Sequence, residues 1–247
     1  MPNWVMNGLT IEGRPDSVKK LMEQMNKPFK MVHDNWNMET HQHEKKLTTY
    51  PNPVFAFHNI YSYLDAGITE EEYLAQPSYD KTMKDWFKFE GKDWYNFNVR
   101  EWGTKWDVAI SDNDKYSDTS MQDTINGENH VVYYSFNTAW SRPMSALIKL
   151  SSQYPDLLFT LSYEEETGWG GELEILRGEI ISESEYDNQC RDCDATNQME
   201  YCEEADCGEI CGNCNWLGEA DLEAVATCPT HKVYLETKVP EYRKVTP

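Results

Sequence analysis

Three features of the 247-residue sequence predict an α+β protein with a small second module at its C-terminal end. Apolar residues recur in the order strand, helix, strand, strand, helix, strand over residues 1–181, with about 75 residues inserted after the first helix. All seven cysteines fall between positions 190 and 228. The negative charge is uneven, net −6 over residues 1–163 and net −15 over residues 164–247. The element order is that of the ferredoxin-like βαββαβ sheet, with one further strand at its end.

The elements follow in chain order. Trp4, Val5, Leu9 and Ile11 alternate loosely and mark a first strand over residues 3–12. Gly13-Arg14-Pro15-Asp16 is a turn and helix start with Asp16 as candidate N-cap, and Val18, Leu21, Met22 and Met25 lie at helical spacing over 16–26. Within the insertion (about 27–101), residues 53–60 read as an extended piece. Helical stretches are expected near 69–76 and 79–89, capped by Thr69 and Ser78. Residues 105–111 read as the second strand, a polar loop with Asn126-Gly127 follows, and 130–137 is the third. Pro143 stands at a natural first helical position for a helix through Ala146, Leu147, Ile148 and Leu150. Residues 157–163 and 172–181 close the pattern as two more strands. An insertion of this length is expected to face a partner or serve function.

Composition narrows the class. A 39% hydrophobic content with 9 Trp, 15 Tyr and 8 Phe supports a core and excludes wholesale disorder. No basic segment followed by an apolar run opens the chain, and no stretch approaches 18 apolar residues. A soluble protein of the cytoplasm is the expectation. A net charge of −21 argues against wrapping nucleic acid through its phosphates.

The polar, aperiodic residues 182–189 mark the expected domain boundary, giving 1–181 and 182–247. An odd cysteine count without a secretory leader speaks for metal rather than disulfides. Cys190-x-x-Cys193 and Cys211-x-x-Cys214 have the separation of a four-cysteine zinc site, because each short loop lets two thiolates grip one ion. Cys228 and His231 form a third pair, and Cys202 with Cys207 a looser fourth. Alternating use of the pairs gives a cross-braced module, and sequential use gives two beads. A single ion that leaves Cys202 and Cys207 aside is a third arrangement. Eight candidate ligands describe closed, structural sites with no open position for catalysis. In so polar a stretch, zinc would replace the missing core.

The tryptophans invite a second site. Trp4, Trp102, Trp106, Trp140 and Trp169 are candidates to line a pocket, with Asn7, Lys105, Asp107 and Ser141 as polar contacts. The competing reading makes these rings core. Ser141 has neither a nucleophile elbow nor an obvious histidine partner. His33, His41 and His43 read as a solvated loop, and Glu164-Glu165-Glu166 as a solvated strand end.

Four segments together carry a resemblance. They are Met1-Pro2-Asn3-Trp4 with Asn7 and Leu9-Thr10-Ile11, Trp102-Gly103-Thr104-Lys105-Trp106-Asp107, Phe136-Asn137-Thr138-Ala139-Trp140-Ser141 with Pro143, and Tyr163-Glu164-Glu165 with Gly168-Trp169. Over residues 1–181 the chain resembles the YubB ferredoxin-like domain family of bacteriophages and plasmids. The resemblance implies the ferredoxin-like sheet and a mobile-element origin, and it implies no activity. The expected function is a zinc-stabilised acidic binding or adaptor protein, docking on a host protein with a basic surface, in the extreme as a nucleic-acid mimic. The alternative is an enzyme using the tryptophan-lined pocket on a small ligand.

Overall fold

The computed structural model describes residues 3–75, 93–109, 119–186, 199–201, 209–211 and 228. The chain divides into two compact units, Met1–Glu165 with Glu172–Ser184, and Glu166–Gly171 with Glu185–Pro247.

The first unit is built on β1 (Trp4–Gly13), α1 (Pro15–Met25), the hairpin β2 (Phe29–Asn37) and β3 (Gln42–Tyr50), α2 (Glu70–Leu74) and α3 (Trp94–Glu101). After these come β4 (Ser120–Asn126), β5 (Asn129–Ala139), α4 (Met144–Gln153), β6 (Leu158–Glu165), β7 (Gly170–Leu176) and β8 (Glu179–Tyr186), of which the first two residues of β7 and the last two of β8 fall in the second unit. The sheet runs β4-β5-β1-β6-β7-β8, with β1 antiparallel to both β5 and β6, and β4 antiparallel to β5. This is the ferredoxin-like order extended by β7 and β8.

Alternation decides the two faces of the sheet. Val5, Leu9 and Ile11 are fully buried, as are Val132 and Tyr134 of β5 and Phe159 and Leu161 of β6. The helices cover that face with Val18, Leu21 and Met25 of α1 and Ala146, Leu147 and Leu150 of α4. Each fully buried side chain of Leu or Phe size contributes about 1.5–3 kcal/mol. Helix α1 starts one residue earlier than its apolar spacing suggests, with Pro15 in its first turn and Arg14 at the cap. Asp16 lies in the first turn, and Asp156 fixes the start by accepting from Arg14 at 2.8 Å and Ser17 at 2.6 Å.

The insertion contributes core. Phe55 stacks on Phe136 at 5.2 Å, and Phe57 meets Phe136 edge-on at 5.9 Å. Instead of one extended piece, residues 57–59 form a 3-10 turn. Thr69 does cap a helix, through a reciprocal pair with Glu72. The second expected helix and Ser78 fall outside the described residues. His33 and His43 stand in strands of the β2–β3 hairpin, and His41 (φ 51) turns between them, so this stretch is a ribbon and not a loop.

Two strand assignments change. Residues 105–109, the described part of the expected second strand, form no strand because their polar groups are held by loop and helix partners. The second strand is β4, in the segment read as loop, turning at Gly127 into β5. The expected strand over 172–181 is a hairpin, since Arg177 and Gly178 both have positive φ, as two-residue turns require. A Cβ on Gly178 would collide with Ser152 Oγ.

In the second unit β9 (Met199–Tyr201) and β10 (Glu209–Cys211) pair antiparallel, and Cys228 is buried. Cys190, Cys193, Cys202, Cys207, Cys214 and His231 lie outside the described residues. No helix among the described residues is long and apolar enough to cross a membrane.

Candidate binding site

The segment after α3 is pinned residue by residue. Trp102 is buried, its indole Nε1 donates to the Tyr61 carbonyl at 2.8 Å, and its ring packs on Phe57 and Phe97. Gly103 has φ +82, and a Cβ there would lie 3.1 Å from the Met144 backbone nitrogen, so only glycine passes α4 this closely. Ser141 Oγ donates to the Gly103 carbonyl at 2.5 Å, Thr104 Oγ1 to Ala139 O at 3.0 Å, and Ala146 N–H to Trp102 O at 3.2 Å. These bonds stitch the Trp102–Asp107 segment to the end of β5 and the start of α4.

Asp107 closes the segment from the other side. Its carboxylate accepts the backbone N–H groups of Phe57 and His58 at 2.8 Å each, of Val108 at 2.7 Å and of Ala109 at 3.2 Å. A carboxylate at the start of the 3-10 turn satisfies donors that otherwise have no partner. Burial pushes the Asp107 carboxyl above its usual range, opposed by these N–H groups and by His58. Burial likewise pushes the His58 imidazole below its usual range, with Asp107 and Asn59 pulling the other way. The ring of His58 stacks on Phe29 at 4.1 Å.

On the strand side, Asn7 is buried and its Nδ2 donates to Val5 O at 2.8 Å and Thr138 Oγ1 at 2.9 Å. Thr138 passes the chain on by donating to Ser141 O at 2.7 Å. Trp140 N–H bonds Asn3 O at 2.9 Å while its backbone sits at φ +74, the left-handed region.

This frame brings five side chains together at one surface. Lys105 Nζ lies 4.2 Å from the Trp140 ring centre and 4.7 Å from that of Trp106. Trp4, the first residue of β1, meets Trp106 at 5.8 Å, and Tyr95 from α3 meets Trp140 edge-on at 6.1 Å. The three indoles are 36%, 37% and 45% exposed at Trp4, Trp106 and Trp140, while Lys105 is only 8% exposed behind them. Burial pushes the Lys105 ammonium below its usual range. The patch offers exposed aromatic surface with a desolvated cation at its back.

Of the residues singled out from sequence, Trp4, Lys105, Trp106 and Trp140 therefore meet at the surface. Asn7, Trp102, Asp107 and Ser141 form the frame that holds them. Trp169 belongs to the second unit. Sequence reasoning missed Tyr95, although Asp93 just before it is a legible N-cap, accepting from Asn96 N–H at 3.0 Å. It also missed Asn98, whose Nδ2 holds the Lys105 carbonyl at 2.8 Å. Among the described residues no group of three or more His, Cys, Asp or Glu is placed to hold a metal.

No curated protein matches the chain. A solved structure, the crystal structure of a protein api92 from Yersinia pseudotuberculosis, is similar at a TM-score of 0.40 and 11% identity, covering 75% of this chain and 98% of that one. The family model described as a ferredoxin-like domain in Api92-like protein matches residues 105–203, a stretch that takes in β4 to β9 and leaves the central β1 outside it.

Proposed function

We propose that this is a binding protein, an accessory factor of a bacteriophage or other mobile element related to the YubB family. Its ferredoxin-like domain would hold a partner through Trp4, Trp106 and Trp140, and zinc would order the acidic, cysteine-rich residues 182–247. The observation that carries the reading is Trp140. A large apolar residue stands 45% exposed on a backbone that favours glycine, with its ring against a buried ammonium. Local strain of this kind marks a functional position when the surroundings enforce it, as the bonds to Asn3 and through Ser141 do here. Binding is favoured over catalysis because Ser141 and Asp107, the groups that would act as nucleophile or base, are engaged with backbone.

The test is affinity capture from a bacterial lysate at low and high salt, with metal analysis of the same sample. The wild-type chain is expected to retain a basic host protein at low salt, and the Trp106→Ala/Trp140→Gly chain to lose it. One or two zinc ions per chain are expected through the cysteine pairs and His231, each contributing an apparent ~10–16 kcal/mol to folding of that region. The same captured proteins from both chains would contradict the aromatic site, and a metal-free chain with residues 182–247 intact would contradict the zinc.

A further inference from the structure

We infer that the open face of the six-stranded sheet is a docking surface for a Lys- and Arg-rich segment of a partner protein. The inference rests on the binding reading above and names the chemistry of its partner. The six strands carry nine Asp and Glu residues and no Lys or Arg. Strand register sorts part of this charge onto one side. On β1 the residues alternating with buried Val5, Leu9 and Ile11 are Trp4, Met6, Thr10 and Glu12. Glu164 stands beside Met6 in register, and Glu172 and Glu174 alternate with buried Leu173 and Ile175.

Three apolar side chains lie exposed along this face, Trp4, Met6 (50%) and Tyr133. The Tyr133 ring covers Gly8, where a Cβ would lie 2.8 Å from the Tyr133 hydroxyl oxygen and 2.8 Å from Ser162 Oγ. The exposed row therefore runs from Trp106 through Trp4 and Met6 to Tyr133, with carboxylates beside it. Among the described residues none of Glu12, Glu164, Glu172 and Glu174 forms an ion pair. Aromatic faces and unneutralised carboxylates together select ammonium and guanidinium groups.

Other occupants fit less well. Nucleic acid needs Lys or Arg against its phosphates, and these strands supply neither. Residues 187–247, which follow the sheet in the chain, carry 13 Asp and Glu against 5 Lys and Arg and have the wrong sign.

The full-length protein is titrated with a fluorescein-labelled octalysine peptide at about 0.15 M salt. A single-stranded RNA octamer serves as the second probe. Glu164→Lys/Glu174→Lys changes the face. Glu23→Lys/Glu71→Lys, at exposed helical positions, makes the same change of net charge elsewhere. The face variant is expected to weaken the peptide about ten-fold or more, and the helical variant less than about two-fold. Glu164→Gln/Glu174→Gln replaces the reversal if melting shows that the lysine pair fails to fold.

Equal weakening by both variants would mean bulk charge and overturn the inference. Tighter binding of the RNA octamer would overturn it too, as would a dimer in sedimentation that the face variant dissolves. Peptide binding lost in Trp106→Ala/Trp140→Gly but untouched by the face variant would leave the aromatic site standing and remove the sheet face. Indifference to both would remove both readings.

Discussion

Trp102 and Trp106 stand four residues apart in one segment, and the fold uses them in opposite ways. Trp102 is buried with its indole N–H satisfied by Tyr61, wedged between Phe57 and Phe97. Trp106 lies on the surface with Trp4 and shares Lys105 with Trp140. The difference lies in the backbone between them. Gly103 at φ +82 reverses the chain against α4, Thr104 ties it to Ala139, and Asp107 turns it back under the 3-10 turn. A tryptophan's role is thus set by whether its polar edge finds a carbonyl inside the core, not by its residue type.

The comparison breaks most visibly at the buried ring. Trp102→Ala is expected to cost about 3–5 kcal/mol, the loss typical of a large aromatic removed from a core. Urea unfolding followed by circular dichroism measures it, and a loss comparable to that of an exposed position would erase the distinction. Next in size is the hinge between the two rings. Gly103→Ala adds a Cβ 3.1 Å from the Met144 nitrogen at a φ that L-residues avoid, and about 1–3 kcal/mol is the expected cost. The same variant should weaken partner capture, since Trp106 hangs from this hinge. Full capture with lowered stability would show that the ring's position does not depend on Gly103.

How much of this arrangement is legible in the sequence follows from what each segment touches. β1, α1, β5, α4 and β6 were readable because each has one covered face, so apolar periodicity survives in them. β4 was not, because in an edge strand reading Ser-Met-Gln-Asp-Thr-Ile-Asn one side is wholly polar and Asp123 interrupts Met121 and Ile125 on the other, with Ile125 exposed. Residues 105–111 imitate a strand through Trp106, Val108 and Ile110, yet Lys105 and Asp107 are held by Asn98 and by the turn at Phe57. Among the described residues the β2–β3 ribbon pairs with no other strand, so no neighbouring strand reinforces its pattern. Within the site, the three exposed indoles were visible as candidates. Their division from Trp102 was not, because it depends on Tyr61 and Phe97 from the insertion.

A smaller effect sharpens the contrast between the frame and the patch. The His58 imidazole is held below its usual range by burial, so the unfolded chain binds a proton more readily than the folded one as pH falls past about 6.5. Stability supplied by neutral His58 is present above that value and is lost on acidification through the folded value. Melting temperature should fall from about pH 7.5 to about pH 5.5, and His58→Gln should flatten that slope. An identical slope in the variant would assign the dependence to other groups. Trp106 and Trp140 carry no titrating group, so substituting them should leave the slope unchanged.

The smallest expected change is the most direct test that the exposed indoles serve recognition and not packing. The unfolding free energy of Trp106→Ala/Trp140→Gly in urea should lie within about 1 kcal/mol of wild type or above it, since glycine relieves the φ +74 backbone at position 140. A loss of about 3 kcal/mol or more would place these rings with Trp102 in the core and contradict the account.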